Sequence, residues 1–159
     1  MVANNECTVQ NDLMVLGIPI LDMQHANLVR IVGNLRLACQ NGIETSNVRF
    51  IYAVHEAVDY AKYHFSTEEK LLALLEYPDH HQHKREHWDF IWEILNLAKQ
   101  FEEGQGLSPE KFVDFFGKWL NSHIALSDKV FADYFLTMKH HAKLKLILCG
   151  KQQLTASYA

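Results

Sequence analysis

The chain has 159 residues and a formal net charge of -4. That length supports one domain able to bury about 70% of the surface its unfolded form exposes, without disulfide staples. Lys and Arg are scattered rather than gathered on one stripe, and no apolar run reaches the roughly 18 residues needed to cross a bilayer, so neither nucleic acid nor membrane is an expected partner.

Residues 1–16 read as an N-terminal arm. Asn4, Asn5, Glu6, Gln10, Asn11 and Asp12 dominate it, with no basic start followed by an apolar run, so it makes no secretory signal. Cys7, Cys39 and Cys149 are odd in number, far apart and without a CxxC pair, which suggests neither a disulfide framework nor a zinc knuckle. A reducing cytoplasm is the compartment these features fit.

The first helix is expected from about Ile20 to Gln40, where Leu21, Leu28, Ile31, Val32 and Leu35 recur at helical spacing up to an Asn41-Gly42 stop. The second starts near Ser46, carries Phe50, Ile51, Val54, Val58, Ala61, Phe65 and Leu72, and ends before Pro78, since the residue preceding proline resists the α conformation. The third takes Asp79 as its cap and runs through Phe90, Ile91, Ile94 and Leu97 to Phe101, before the Gly104-Gln105-Gly106 break. Ser108-Pro109-Glu110 gives the fourth the clearest start. A capping hydroxyl precedes a proline whose missing N–H is not needed there, and an acid suits the positive end of the helix dipole. Phe112, Phe115, Phe116, Trp119, Leu120, Ile124 and Phe131 carry that helix to about Phe135.

Short connections turn each helix back beside its predecessor, so the expected fold is all-α, an antiparallel up-down-up-down four-helix bundle over residues 17–136. A C-terminal extension, 137–159, follows. In it Leu144, Leu146, Ile147 and Leu148 alternate with Lys143 and Lys145. It reads either as a short element packed on the bundle or as a docking segment for another subunit or partner protein.

Seven potential metal ligands lie on these helices: His25, His64, Glu68, His83, His87, His123 and Asp128. Residues four apart stand one above the other on a helix, so His64 with Glu68, and His83 with His87, can each clasp one ion. A single histidine on a helix face is ordinarily a packed or partly exposed residue. The coincidence carries the weight, because all four helices contribute and the two carboxylates lie on different ones. His55, His80, His81, His140 and His141 fall outside the set, and the last two read as solvated.

Seven side chains exceed the four that close a structural zinc site, which implies two metals. If both carboxylates bridge, one metal has three histidines and the other two, leaving an open position. Imidazole accommodates ferrous and ferric iron, while carboxylate oxygen favours the harder oxidised ion. The Glu-x-x-His motif of ferritin-like di-iron proteins occurs nowhere in the chain.

One spacing resists an ideal helix. Five residues turn it by about 500°, which leaves Asp128 some 140° away from His123 and about 7.5 Å further along. A local π-bulge between them is the expected remedy.

At these residues the chain resembles the hemerythrin family, in particular the bacterial hemerythrins, from about Gly17 to Tyr134. The resemblance is carried by Gly17-Ile18-Pro19-Ile20-Leu21-Asp22-Met23-Gln24-His25, by His64-Phe65-Ser66-Thr67-Glu68-Glu69, by His83-Lys84-Arg85-Glu86-His87, and by Trp119-Leu120-Asn121-Ser122-His123-Ile124 through Asp128. It implies that His83, His87 and His123 bind one iron and that His25 and His64 bind the other. Glu68 and Asp128 would bridge the Fe2+/Fe3+ pair together with an oxo or hydroxo group, and dioxygen would bind end-on at the two-histidine iron. Leu28, Phe65, Trp119, Leu120 and Ile124 flank the ligands and suit either a dry oxygen pocket or plain core packing. The region before Gly17 lacks the tryptophan that commonly opens such domains.

The expected function is non-enzymatic, reversible dioxygen binding for carriage, storage or sensing. The alternatives are a di-iron enzyme acting on peroxide or nitric oxide, and a redox-responsive interaction module read through the extension. Glu69 points about 100° away from Glu68, and Tyr63 and Tyr134 read as packing or surface residues, so no separate acid or base stands out.

Overall fold

A computed structural model describes residues 15–40, 48–104 and 108–139. Within them the chain is an all-α four-helix bundle. The helices are α1 (Pro19–Gln40), α2 (Val48–Leu74), α3 (His80–Glu102) and α4 (Pro109–His123). The last continues through a π-helical turn, Ile124–Asp128, and resumes as α-helix over 129–139.

Each start and stop has a local cause. Pro19 takes the first position of α1, where its lacking N–H costs nothing. The Asp22 carboxylate accepts hydrogen bonds from the backbone N–H groups of Leu16 (2.7 Å) and Gly17 (3.1 Å), which fixes the entering chain. Gly17 sits at φ 81°, a conformation that favours glycine. Leu16, in the stretch assigned by sequence to the arm, is buried in the core.

Helix α2 ends at Leu74, three residues short of the one before Pro78. The chain turns off by a Schellman cap: Tyr77 N–H donates to Leu72 O at 3.0 Å, and Glu76 N–H to Ala73 O at 3.2 Å. This places Glu76 at φ 50°, where a glycine is the usual occupant. At the head of α3, Asp79 takes the capping position but its side chain makes no capping bond, contrary to its expected role. Backbone bonds order that turn instead, with His80 N–H donating to Tyr77 O and His83 N–H to Asp79 O. At α4 the Ser108 hydroxyl accepts from Lys111 N–H at 3.4 Å, as expected of a cap.

Contacts between neighbouring helices pair ascending with descending numbers, as antiparallel packing requires. Along α1 and α2 they join Gln24 with Thr67, His25 with His64 and Asn27 with Tyr60. Along α2 and α3 they join Phe50 with Phe101 and Phe65 with Phe90. Along α3 and α4 they join Phe90 with Phe116 and His87 with His123.

The interior is layered. Phe50, Phe101 and Phe112 fill one end, with ring centroids 5.2 and 6.3 Å apart. Phe90, Phe116 and Trp119 stand above them, and Tyr77, Phe131 and Tyr134 close the opposite end. Between the second and third of these aromatic layers lies a polar stratum, and burial of the apolar layers holds it in place at roughly 1.5–3 kcal/mol per large side chain. No helix among the described residues is long and apolar enough to cross a membrane.

Asn41, Gly42, Ser46, Gln105 and Gly106, and with them the predicted ends that use them, lie outside the described residues. So do Cys7, Cys149, His140, His141 and the extension from 140 onward.

Candidate metal centre

Helix periodicity delivers the polar stratum. On α1, Leu21, Gln24, His25, Leu28 and Val32 share the inward face; on α3, His83, His87, Phe90 and Ile94 do. On α2, His64, Phe65, Glu68 and Leu72 are buried. On the fourth rod the π turn supplies the extra residue in register that the spacing demanded: His123, Ile124 and Asp128 are all buried. Among the described residues, the buried polar side chains are the seven predicted ligands and Gln24.

The seven donors fall into two groups that share one residue. Glu68, His83, His87, His123 and Asp128 form the first, and His25, His64 and Asp128 the second. In the first, the Nε2 atom of His123 lies 2.9 Å from that of His87 and 3.2 Å from that of His83. Asp128 Oδ1 approaches Nε2 of His123 at 3.0 Å and of His83 at 3.3 Å, and Glu68 Oε2 lies 3.4 Å from Nε2 of both His83 and His87. In the second, His25 Nε2 is 3.1 Å from His64 Nε2 and 3.1 Å from Asp128 Oδ2. Asp128 therefore presents one oxygen to each group. Glu68 Oε2 is 3.9 Å from His64 Nε2.

These separations fit shared cations. Ligand atoms about 2.1 Å from a common ion lie ~3.0 Å apart at an octahedral edge and ~3.4 Å apart at a tetrahedral one. A hydrogen-bonded network fits less well. All four oxygens of Glu68 and Asp128 are buried and make no well-formed hydrogen bond among the described residues, although histidine Nε2 atoms lie beside them at 3.0–3.9 Å. Two buried carboxylates in that condition would cost several kcal/mol, and a cation between them removes the cost.

The electrostatics of the cluster agree. Burial acts against the charged form of His83, but the Asp128 and Glu68 carboxylates beside it win and lift its pKa to about 10. Burial pushes His64 down to about 4, with the nearby Glu68 only partly offsetting it. Asp128 is held well below the usual carboxylate range despite burial, because His123, His25 and His83 surround it. The pocket attracts positive charge, whether proton or metal.

Three residues that sequence reasoning did not assign to the site hold the histidines from behind. Gln24 Oε1 lies 3.1 Å from His64 Nδ1, and its amide donates to the Thr67 hydroxyl at 3.2 Å. Glu69 Oε1 lies 3.2 Å from His87 Nδ1, with Lys84 Nζ on its other oxygen at 3.2 Å. Glu86 Oε2 lies 3.3 Å from His123 Nδ1 and accepts from the Ser127 hydroxyl at 2.6 Å. Gln24 carried a signal, being a polar residue at a core position of the α1 pattern. Glu69 and Glu86 carried none, because each faces a histidine on a neighbouring helix.

The predicted pocket residues divide. Leu28, Leu120 and Ile124 are buried in the core. Phe65 stacks on His87 at 3.9 Å and 9° and leans against His64 at 5.6 Å, so it touches both groups. Trp119 stacks on His123 at 4.4 Å and 13°, on the three-histidine side. His55 pairs with Glu102 at the exposed surface, His80 and His81 stack on each other outside the cluster, and Tyr63 is exposed. Tyr134 donates its hydroxyl to Leu75 O.

The family described as Hemerythrin HHE cation binding domain matches residues 16–135. The chain is 32% identical over 124 residues to a bacteriohemerythrin of Stenotrophomonas maltophilia, covering 78% of each sequence. Against a bacteriohemerythrin of Pseudomonas aeruginosa the identity is 31% over 124 residues, again covering 78% of each. Against one of Clostridium acetobutylicum it is 28% over 127 residues, covering 79% of this chain and 98% of the relative. With the family's domain spanning the whole bundle and its cation-binding description meeting a buried cluster of histidines and carboxylates, the chain belongs to the hemerythrin family.

Proposed function

We propose that residues 17–136 hold two non-haem irons and bind dioxygen reversibly, without catalysis, for carriage, storage or sensing in the cytoplasm. His83, His87 and His123 would hold one iron and His25 and His64 the other, with Glu68 and Asp128 between them. The observation that carries this reading is Asp128, whose two oxygens address separate histidine groups at 3.0–3.3 Å and 3.1 Å. One carboxylate serving two groups is what a pair of ions requires.

An iron pair held by these seven side chains would supply the electrons needed to bind dioxygen reversibly. The chain's own contribution is orientation and exclusion of water. Gln24, Glu69 and Glu86 hold Nδ1 of three histidines so that Nε2 faces inward. Phe65 stacks on His87, and with Leu28 and Ile124 buried in the same core it would limit solvent entry and slow irreversible oxidation. Among the described residues, the buried carboxylates and histidines all belong to the seven proposed ligands, and the other buried titratable groups, Tyr77 and Cys39, pack within the hydrophobic core.

The test is anaerobic loading with ferrous salt followed by mixing with dioxygen. Two irons per chain and an intense charge-transfer band that reverses under vacuum are expected. Fewer than two irons, or steady turnover of peroxide or nitric oxide in place of a reversible band, overturns the reading.

A further inference from the structure

The two histidine groups differ in what stands behind them. In the three-histidine group, His87 and His123 each present Nδ1 to a carboxylate, Glu69 at 3.2 Å and Glu86 at 3.3 Å. In the two-histidine group, His64 presents Nδ1 to the neutral amide oxygen of Gln24 at 3.1 Å, and the buried Nδ1 of His25 has no hydrogen-bond partner among the described residues. With Nε2 facing the cluster, Nδ1 carries the ring proton, and its partner sets how strongly the ring donates to a metal. A carboxylate draws on that proton and enriches the ring; an amide does so far less.

The acids are fixed in this task. Lys84 holds the second oxygen of Glu69 at 3.2 Å, and Ser127 and Gln82 hold Glu86 at 2.6 and 3.3 Å. Neither is a ligand in the groups described above; each acts through its histidine. The difference is reinforced by Glu68, which lies 3.4 Å from His83 and His87 but 3.9 Å from His64.

We propose that Glu69 and Glu86 make the three-histidine position the more electron-rich of the two, so that it yields the first electron, while the neutral Gln24 keeps the two-histidine position ferrous longer. This rests on the iron-pair reading above. Its consequence is an oriented centre, in which the open position retains its reducing electron until the other iron has been oxidised.

The test uses the full chain loaded with iron-57 and oxidised with one equivalent of ferricyanide, which takes one electron and becomes ferrocyanide. Mössbauer spectra should show one ferric and one ferrous site. Glu69→Gln and Glu86→Gln should each raise the first midpoint potential by about 59 mV, a tenfold shift for one electron, and should perturb the ferric signal. Gln24→Glu should lower the second potential and perturb the ferrous signal. If an acid variant loses iron, the other acid variant and Gln24→Glu still decide the matter. Iron content held at two with neither potential displaced, or Gln24→Glu acting on the ferric signal, overturns this inference alone; fewer than two irons in the unaltered chain removes the proposed function and this with it.

Discussion

Stripping the metal should give this bundle a stability that peaks near neutral pH and falls on both sides. In the metal-free cluster His64 is held at about 4 against an ordinary 6.5, so folding resists its protonation. Stability from this residue is complete above pH 6.5 and is lost as pH falls from 6.5 to about 4. At about 1.4 kcal/mol for each tenfold change in proton affinity, the loss is about 3 kcal/mol. Asp128, held well below the usual carboxylate range, adds to the same acid limb. His83 works in the opposite direction. Its pKa is raised from 6.5 to about 10, so its contribution is complete below 6.5 and is lost as pH rises to about 10, some 5 kcal/mol by the same conversion. For a chain of this length that corresponds to a fall in Tm of about 10–20 °C. Melting curves of chelator-treated and iron-loaded protein at pH 5, 6.5 and 9 provide the assay. The loaded form should lose the alkaline limb, since ions replace the proton that His83 would carry. A metal-free protein whose stability rises between pH 6.5 and 9, or one whose pH profile matches that of the loaded form, would refute the electrostatic account of the cluster.

Other substitutions probe separate parts of the argument. His64→Ala leaves His25 and Asp128 as the only donors of the second group, so iron analysis should fall from two ions per chain to one, with the five-donor group still loaded. Glu76→Gly relieves a residue held at φ 50°, and urea titration should find the protein more stable by about 0.5–1 kcal/mol. Ser108→Ala removes the hydroxyl that accepts from Lys111 N–H at the head of α4 and should cost about 1 kcal/mol in the same titration. Phe116→Ala opens the buried aromatic layer below the cluster; a loss of about 3–5 kcal/mol is expected, and a loss under 1 kcal/mol would mean that the layer is not packed as described.

Much of the site was legible because a helix converts spacing into direction. His64 with Glu68 and His83 with His87 are i, i+4 pairs, and each pair is buried at the level in the bundle that the periodicity gives it. The mismatch between His123 and Asp128 was equally readable, since the ideal helix puts them on different faces. The π turn at Ile124–Asp128 is the remedy that this arithmetic demands. Helix starts were legible where a side chain makes the cap, as at Ser108, and less so where backbone alone does it. At Asp79 the turn is closed by main-chain bonds, and at Leu74 a Schellman cap ends the helix before Pro78 has any effect.

What lay beyond the sequence depends on which helix stands behind which. Glu69 and Glu86 look like ordinary exposed-face acids along their own helices, and only the packing of α2 on α3, and of α3 on the fourth rod, sets them against His87 and His123. The sharing of Asp128 between two histidine groups, the stacking of Phe65 and Trp119 on two of the rings, and the neutral backing of His64 are likewise consequences of inter-helix register. By itself the amino-acid order determined the bundle, the burial of seven histidine and carboxylate side chains at one level and the spacing mismatch in its last helix, because those follow from periodicity within one rod. The tertiary structure alone decided how these side chains divide into two groups and which residues stand behind them, because distances across a core are set by side-chain packing between rods that no local pattern records.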